Sequence, residues 1–406
     1  MKQHKRTSAL KRVAQGVLGL LVTATLLTGP LAHNPSGMAG FFDDWKPEDL
    51  LRIFSDGAEK PADESVGGLA YSLLDEDAQR TYLEMYTGIS TMKDEFSVHD
   101  KTGELIELAL YALLRDHPEL WWHDGISTYQ QARATTQLIK PTYNATLEEQ
   151  PLIEAAIDAA YEEYLARLPE VAGDYDKLKA AYEYVIESSD YVLGAPNNQN
   201  VQSVFVGHQS VCAGYSKAVQ YLLHRSGVWC AYIEGIIPDG YGAFEGEERH
   251  SWNLVRIDGN YVHVDATWGD PTYTNEVGQT QDVGVVYDFL CLSDEQIKRC
   301  GHFADQDGLL PACTSEYYDY YRLNQLLIEP YDDERMLDFL WARVDSPSPV
   351  VSFKLADDAS FEQARVRLFE QGMADYAIVA HAGLTDTNVV YSYAADPTLR
   401  IIRLFW

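Results

Sequence analysis

Residues 210–216 read SVCAGYS, and residues 250–267 read HSWNLVRIDGNYVHVDAT. The first stretch sets Cys212 at the start of an amphipathic run, SKAVQYLLHRSG, that ends at Gly227, a helix C-cap residue. The second holds two alternating apolar runs joined by Asp258-Gly259, the sequence signal of a two-residue β-hairpin. That turn sets a register. Ile257 faces Asn260, Arg256 faces Tyr261, Leu254 faces His263, Trp252 faces Asp265 and His250 faces Thr267. Opposed residues share a face, so His250 and Asp265 become diagonal neighbours, about 7–8 Å apart at the backbone. A one-residue slip would send Asp265 to the other face.

An imidazole and a carboxylate that meet in this way form the orienting half of a nucleophile–base–orienter set. The carboxylate holds the ring in one tautomer and stabilises its cation, so the imidazole can take a proton from a thiol. Cys212 supplies the thiol. At a helix start, the unpaired N–H groups and the positive end of the dipole favour thiolate. Its own N–H is a candidate oxyanion donor, and Gln202 or Gln209 is a candidate second donor. Trp252, Tyr215 and Trp268 are candidate substrate-lining residues. His263 shares the face of His250 but lies roughly 13 Å along the strand, too far to share a metal ion. It is expected to be a supporting residue, and no metal is expected.

The chain has 406 residues, enough for two or three domains. Residues 1–12 carry five basic residues and no acidic one, and an apolar run and small residues follow. This is a secretory signal pattern, expected over 1–32, with an uncleaved anchor as the alternative. The formal net charge is −31, and cleavage would remove those five basic residues and take it to about −36. Such a surface excludes nucleic acid and anionic lipid as partners. Membrane contact is expected only through an uncleaved signal segment. The expected location is secreted or cell envelope. Five cysteines with no C-x-x-C spacing exclude a zinc ribbon or a redox dithiol. One bridge could form among Cys291, Cys300 and Cys313, and Cys212 is expected to be free.

Around the two stretches, residues 33–65 read as a leader or linker and 66–146 as a helical region with two strands near 119–144. Residues 147–330 hold the helices and strands of the Cys–His–Asp centre. Residues 331–406 alternate helix and strand patterns and form a small α/β unit. The Gly-rich 238–249 loop is a candidate lid. The acidic 270–282 excursion fits no ordered calcium loop. No cofactor is implied.

SVCAGYSKAVQYLLHRSGV followed by HSWNLVRIDGNYVHVDATWGDP resembles the secreted bacterial transglutaminase-like superfamily. The motifs are a Cys at a helix start, a His before Trp-Asn and an Asp before Thr-Trp. They cover about 200–272. DHPELWW and YDFLCL…LPACT extend the likeness to about 70–325. The resemblance implies an α+β, papain-like fold, with the nucleophile helix packed on an antiparallel sheet. It also implies acyl transfer through a thioester, on a protein or peptide substrate of the cell wall or the extracellular space. Cys212 would be the nucleophile, His250 the base and Asp265 its orienter. Relatives sharing this triad include cross-linkers, peptidases and amidases, so fold and triad leave the acceptor, amine or water, open. The alternative is a non-catalytic cell-envelope binding module on the same fold.

Overall fold

The computed structural model describes residues 68–101, 103–130, 135–239, 246–274, 280–282, 284–344, 350–382 and 391–405. The expected signal segment 1–32 and linker 33–65 lie outside the described residues. So do residues 240–245 of the candidate lid and 275–279 of the acidic excursion. No helix among the described residues is long and apolar enough to cross a membrane.

A short helix, Leu69–Ser72, opens the described residues, and helices Glu76–Ser90 and Glu104–Asp116 follow. Asp75 caps Glu76–Ser90, its carboxylate accepting the Ala78 N–H at 2.8 Å. Buried Asp116 accepts the N–H groups of Ala70 and Tyr71 at 3.0 and 2.8 Å and the Tyr82 hydroxyl at 3.1 Å, which ties the chain start to this helix pair. A three-stranded antiparallel sheet follows, with Thr136–Tyr143 between Phe96–His99 and His123–Gln130. Tyr82, Met85 and Trp121 share one continuous apolar core with Tyr215, Leu222, Val255 and Val264. The N-terminal helices therefore pack into the same interior as the residues around Cys212.

The central sheet is five-stranded and antiparallel, in the order Leu290–Leu292, Asn260–Val264, Glu248–Ile257, Cys230–Ile237, Phe303–Ala304. The hairpin has the register that an Asp-Gly turn demands, with Ile257 opposite Asn260 and Leu254 opposite His263. Asp258 and Gly259 take φ values of 47° and 81°, as a primed turn requires. Alternation then divides the Glu248–Ile257 strand between two interiors. Val255 and Ile257 face the main core. Trp252 and Leu254 face a smaller cluster with Ala231, Ile233 and Cys313.

The Cys212–Arg225 helix covers the main-core face. Asn253 donates to the Ser216 carbonyl at 2.9 Å and locks helix to strand. The N-cap residue, Val211, has no side-chain acceptor, while His224 and Arg225 lie in the last turn, where cations suit the dipole. Gly214 is needed for close approach: a Cβ there would sit 1.9 Å from Ser210 Oγ and 2.8 Å from Ser203 Oγ.

The C-terminal unit has its own core and a four-stranded sheet in the order Leu327–Ile328, Val350–Leu355, Ile401–Phe405, Ser392–Asp396. Its first pair is parallel and the others antiparallel. Leu399 and Ile401 join Phe289, Leu292 and Ile297 in a shared cluster. Buried pairs Arg403–Asp288 and Lys354–Asp319 cross the same seam. All five cysteines are free thiols, so the bridge considered among Cys291, Cys300 and Cys313 is not formed.

Candidate active site

Cys212 opens its helix and is half-buried, while His250 and Asp265 are 7% and 0% exposed. His250 Nε2 lies 2.7 Å from Asp265 Oδ2. With Nε2 so engaged, Nδ1 is the nitrogen left to hydrogen-bond the Cys212 thiol. Ser251 adds its hydroxyl and its backbone N–H to the same sulfur. The three residues therefore form one hydrogen-bonded chain, assembled from a helix start, a strand start and a strand end.

The electrostatics follow from these contacts. Burial pushes the Cys212 thiol up, but the hydrogen bond and charge of His250, with the Ser251 donors, hold it below its ordinary value. Burial alone would lower His250. The Asp265 carboxylate and the Cys212 sulfur outweigh it and raise His250 to about 10. Asp265 would be raised by burial, yet His250 and His302 hold it well below the usual carboxylate range. The other four cysteines are buried, and desolvation pushes every one of their thiols up.

Two groups missed by the sequence reading stand at the centre. Tyr191 accepts the backbone N–H of Cys212 on its phenol oxygen. A short parallel bridge, Tyr191 to Ser210, brings it there. His302 places Nε2 2.9 Å from the Asp265 oxygen that His250 also uses. It follows the Asp294–Arg299 helix and precedes the Phe303–Ala304 edge strand. Neither is preceded by a motif. For Tyr191 the only signal is an aromatic in a short extended piece before the Cys212 loop, and for His302 there is none.

Gln202 sits on the short Val201–Phe205 helix, where its Oε1 accepts from Asn197 at 3.2 Å, and Gln209 is exposed on the strand beside Asp190. Trp252 and Tyr215 are 1% and 0% exposed, which corrects the expectation that they line a substrate surface. Trp252 packs on the face away from the Cys212 helix, and its indole donates to His263 Nδ1 at 3.1 Å. The Tyr215 hydroxyl is taken up by Ser189 O at 2.5 Å and Asp270 Oδ2 at 2.8 Å. Trp268 keeps partial exposure and stacks edge-on with Phe289.

Among the described residues, two clusters bring metal-ligating atoms together: His250, Asp265 and His302, and His263, Asp294 and Cys313. The hydrogen bonds leave neither a free imidazole lone pair at the shared point. An indole only donates, so His263 Nδ1 is the acceptor and Nε2 carries the proton that goes to Asp294 at 2.9 Å. In the first cluster both Nε2 atoms face an ionised carboxylate, which only accepts, so both carry protons. These are hydrogen-bonded knots in which each carboxylate is held by N–H donors.

Residues 164–266 match the transglutaminase-like superfamily. The chain thus carries a transglutaminase-like domain, with a helix on an antiparallel sheet in an α+β, papain-like core. Over 112 residues it is 26% identical to kyphoscoliosis peptidase of Homo sapiens and of Mus musculus. Each match covers 25% of this chain and only 17% of the relative. A solved TGase structure is similar at 15% identity, with 43% of this chain and 50% of that chain covered and a TM-score of 0.25.

Proposed function

We propose that this chain is a cysteine-dependent acyl-transfer enzyme acting on a protein or peptide amide. The observation that carries the reading is the unbroken hydrogen-bonded chain Cys212–His250–Asp265. The Cys212 proton rests on His250 Nδ1, and the Sγ thiolate attacks the carbonyl carbon. Asp265 holds the ring through Nε2 and stabilises the imidazolium. The oxyanion draws on the Cys212 N–H, which turns to it from the Tyr191 phenol oxygen, with the Tyr191 hydroxyl, Gln202 and Gln209 as candidate second donors. His250 returns the proton to the leaving amine, and a thioester remains on Cys212. A second nucleophile, an amine or water, attacks the thioester and restores the thiol. The acidic chain and its signal-like start favour a secreted or envelope setting.

The test is alkylation of the folded protein by iodoacetamide across pH, read by peptide mass spectrometry. Cys212 alone should react near neutral pH, and its rate should stay high well below the ~8.5 of a free cysteine. His250→Ala should return it to ordinary thiol behaviour. A wild-type Cys212 that titrates like a free thiol, or reacts no faster than Cys230 and Cys313, refutes the reading.

A further inference from the structure

Asp265 accepts four hydrogen bonds: the N–H groups of Thr267 and Trp268 on Oδ1, and two imidazoles, His250 and His302, on Oδ2. A carboxylate that only orients one base needs no second imidazole on the same oxygen. The region matching the superfamily ends at residue 266, so His302 lies outside it.

His302 is 1% exposed, and its ring is set among Trp252, Trp268 and Phe289 at centroid distances of 5.2, 4.6 and 6.1 Å. His250 lies 5.3 Å away, centroid to centroid. Two imidazolium ions at that separation, around one buried carboxylate, repel each other. One proton beyond neutrality is therefore shared out to one ring. Cys212 faces His250, so the cation belongs there, and the aromatic wall around His302 favours the neutral ring. Neutral His302 with a proton on Nε2 leaves Nδ1 bare, and that atom is buried without a partner. Its tautomer is fixed by the carboxylate.

We infer that His302 is a positioning residue of the Cys212 centre, resting on the acyl-transfer reading above: its Nε2–H shares Asp265 Oδ2 with His250, holds the carboxylate in place and withholds part of its negative charge from His250. The consequence is kinetic. A carboxylate left wholly to His250 would bind the imidazolium too tightly, and His250 would surrender its proton to the leaving amine less readily. His302 keeps the base strong enough to accept the thiol proton and weak enough to give it back.

The experiment uses iodoacetate, an anion drawn to the thiolate by the neighbouring imidazolium, so its rate against pH falls as His250 deprotonates. The titratable groups around the centre are Cys212, Tyr191, Tyr182, Glu248, Asp265 and His302. All but His302 are unchanged between wild type and the variants. His302→Phe keeps a ring and removes the donor, and it should move the upper limb to higher pH by about one unit. His302→Gln places an amide N–H near the lost one and should stay within a few tenths of a unit of wild type. In wild type, imidazole nitrogen NMR should show His302 as a neutral Nε2–H ring through the range in which exposed histidines titrate.

A His302→Phe limb that does not move, or moves to lower pH, overturns the inference. So does a His302→Gln limb displaced as far as that of His302→Phe, since that result reports packing and not the N–H. If His302→Phe does not fold, the wild-type NMR decides: a His302 that carries its proton on Nδ1, or titrates like an exposed histidine, overturns it. A wild-type Cys212 with an ordinary thiol profile fails the acyl-transfer reading itself, and this inference with it. A normal wild-type bell with an unmoved His302→Phe limb fails this inference alone.

Discussion

Asp265→Asn replaces one oxygen by NH2 and reverses two hydrogen bonds. The Asn carbonyl can still accept the Thr267 and Trp268 N–H groups, now at 2.9 and 3.2 Å. Its NH2 then faces the Nε2 atoms of His250 and His302, both donors toward Asp265. To avoid a donor–donor clash His250 must move its proton to Nδ1, the nitrogen that faces Cys212. It can then no longer accept the thiol proton. A general base contributes about 10²–10⁴-fold, so acylation should fall by that factor, and Cys212 alkylation near neutral pH should fall toward that of an ordinary thiol, about 30-fold. Neutralising one partner of a buried, hydrogen-bonded pair costs on the order of 3 kcal/mol of stability. The pH dependence has a definite sign. His250 is raised to about 10, so the pair's stabilisation is whole below the unfolded histidine value of ~6.5 and is lost as pH rises through the folded value. Asp265 is lowered, so its share is present above ~3.9 and lost only as pH falls through its lower folded value. The stability gap between wild type and Asp265→Asn should be widest between about pH 4 and 6.5 and should close toward pH 10. Alkylation rates and thermal melts across that range measure both effects. A variant with the wild-type alkylation profile, or a gap that widens with pH, refutes the reasoning.

Gly214→Ala should displace the start of the Cys212 helix, because the new Cβ would meet Ser210 Oγ at 1.9 Å and Asn198 O at 3.1 Å. A loss of about 1–3 kcal/mol in urea unfolding, with slower Cys212 alkylation, is expected; an unchanged Cys212 rate would show that the helix start tolerates the shift. Arg403→Met should leave the Asp288 carboxylate, whose side chain is 1% exposed, with the Tyr321 hydroxyl but without its cation and cost about 3–5 kcal/mol, whereas Arg403→Met with Asp288→Leu should recover much of that loss. Urea unfolding of the two variants checks this, and a double variant no more stable than the single one would contradict it.

The legible parts of the fold were the local ones. Asp258 and Gly259 adopt positive φ because the turn between two alternating runs demands it, and that turn alone set the strand pairing from Ile257–Asn260 to Leu254–His263. The position of Cys212 at a helix start was equally readable, from the apolar spacing that ends at Gly227. The burial of Trp252 and Tyr215 was not. Alternation says which residues share a face, but not what covers it. Trp252 is closed off by Cys313 and its neighbours, and Tyr215 by Ser189 and Asp270, all distant in sequence.

The sequence by itself determined the hairpin, its register and the diagonal placing of His250 and Asp265, because backbone dihedrals and period-two alternation act over a few residues. The tertiary structure alone decided that Tyr191 meets the Cys212 N–H and that His302 shares Asp265 with His250. Both arrive through pairings between separate segments, Tyr191 with Ser210 and Phe303 with Ile236. Such contacts depend on where loops close and which faces pack. No spacing between neighbouring residues encodes them.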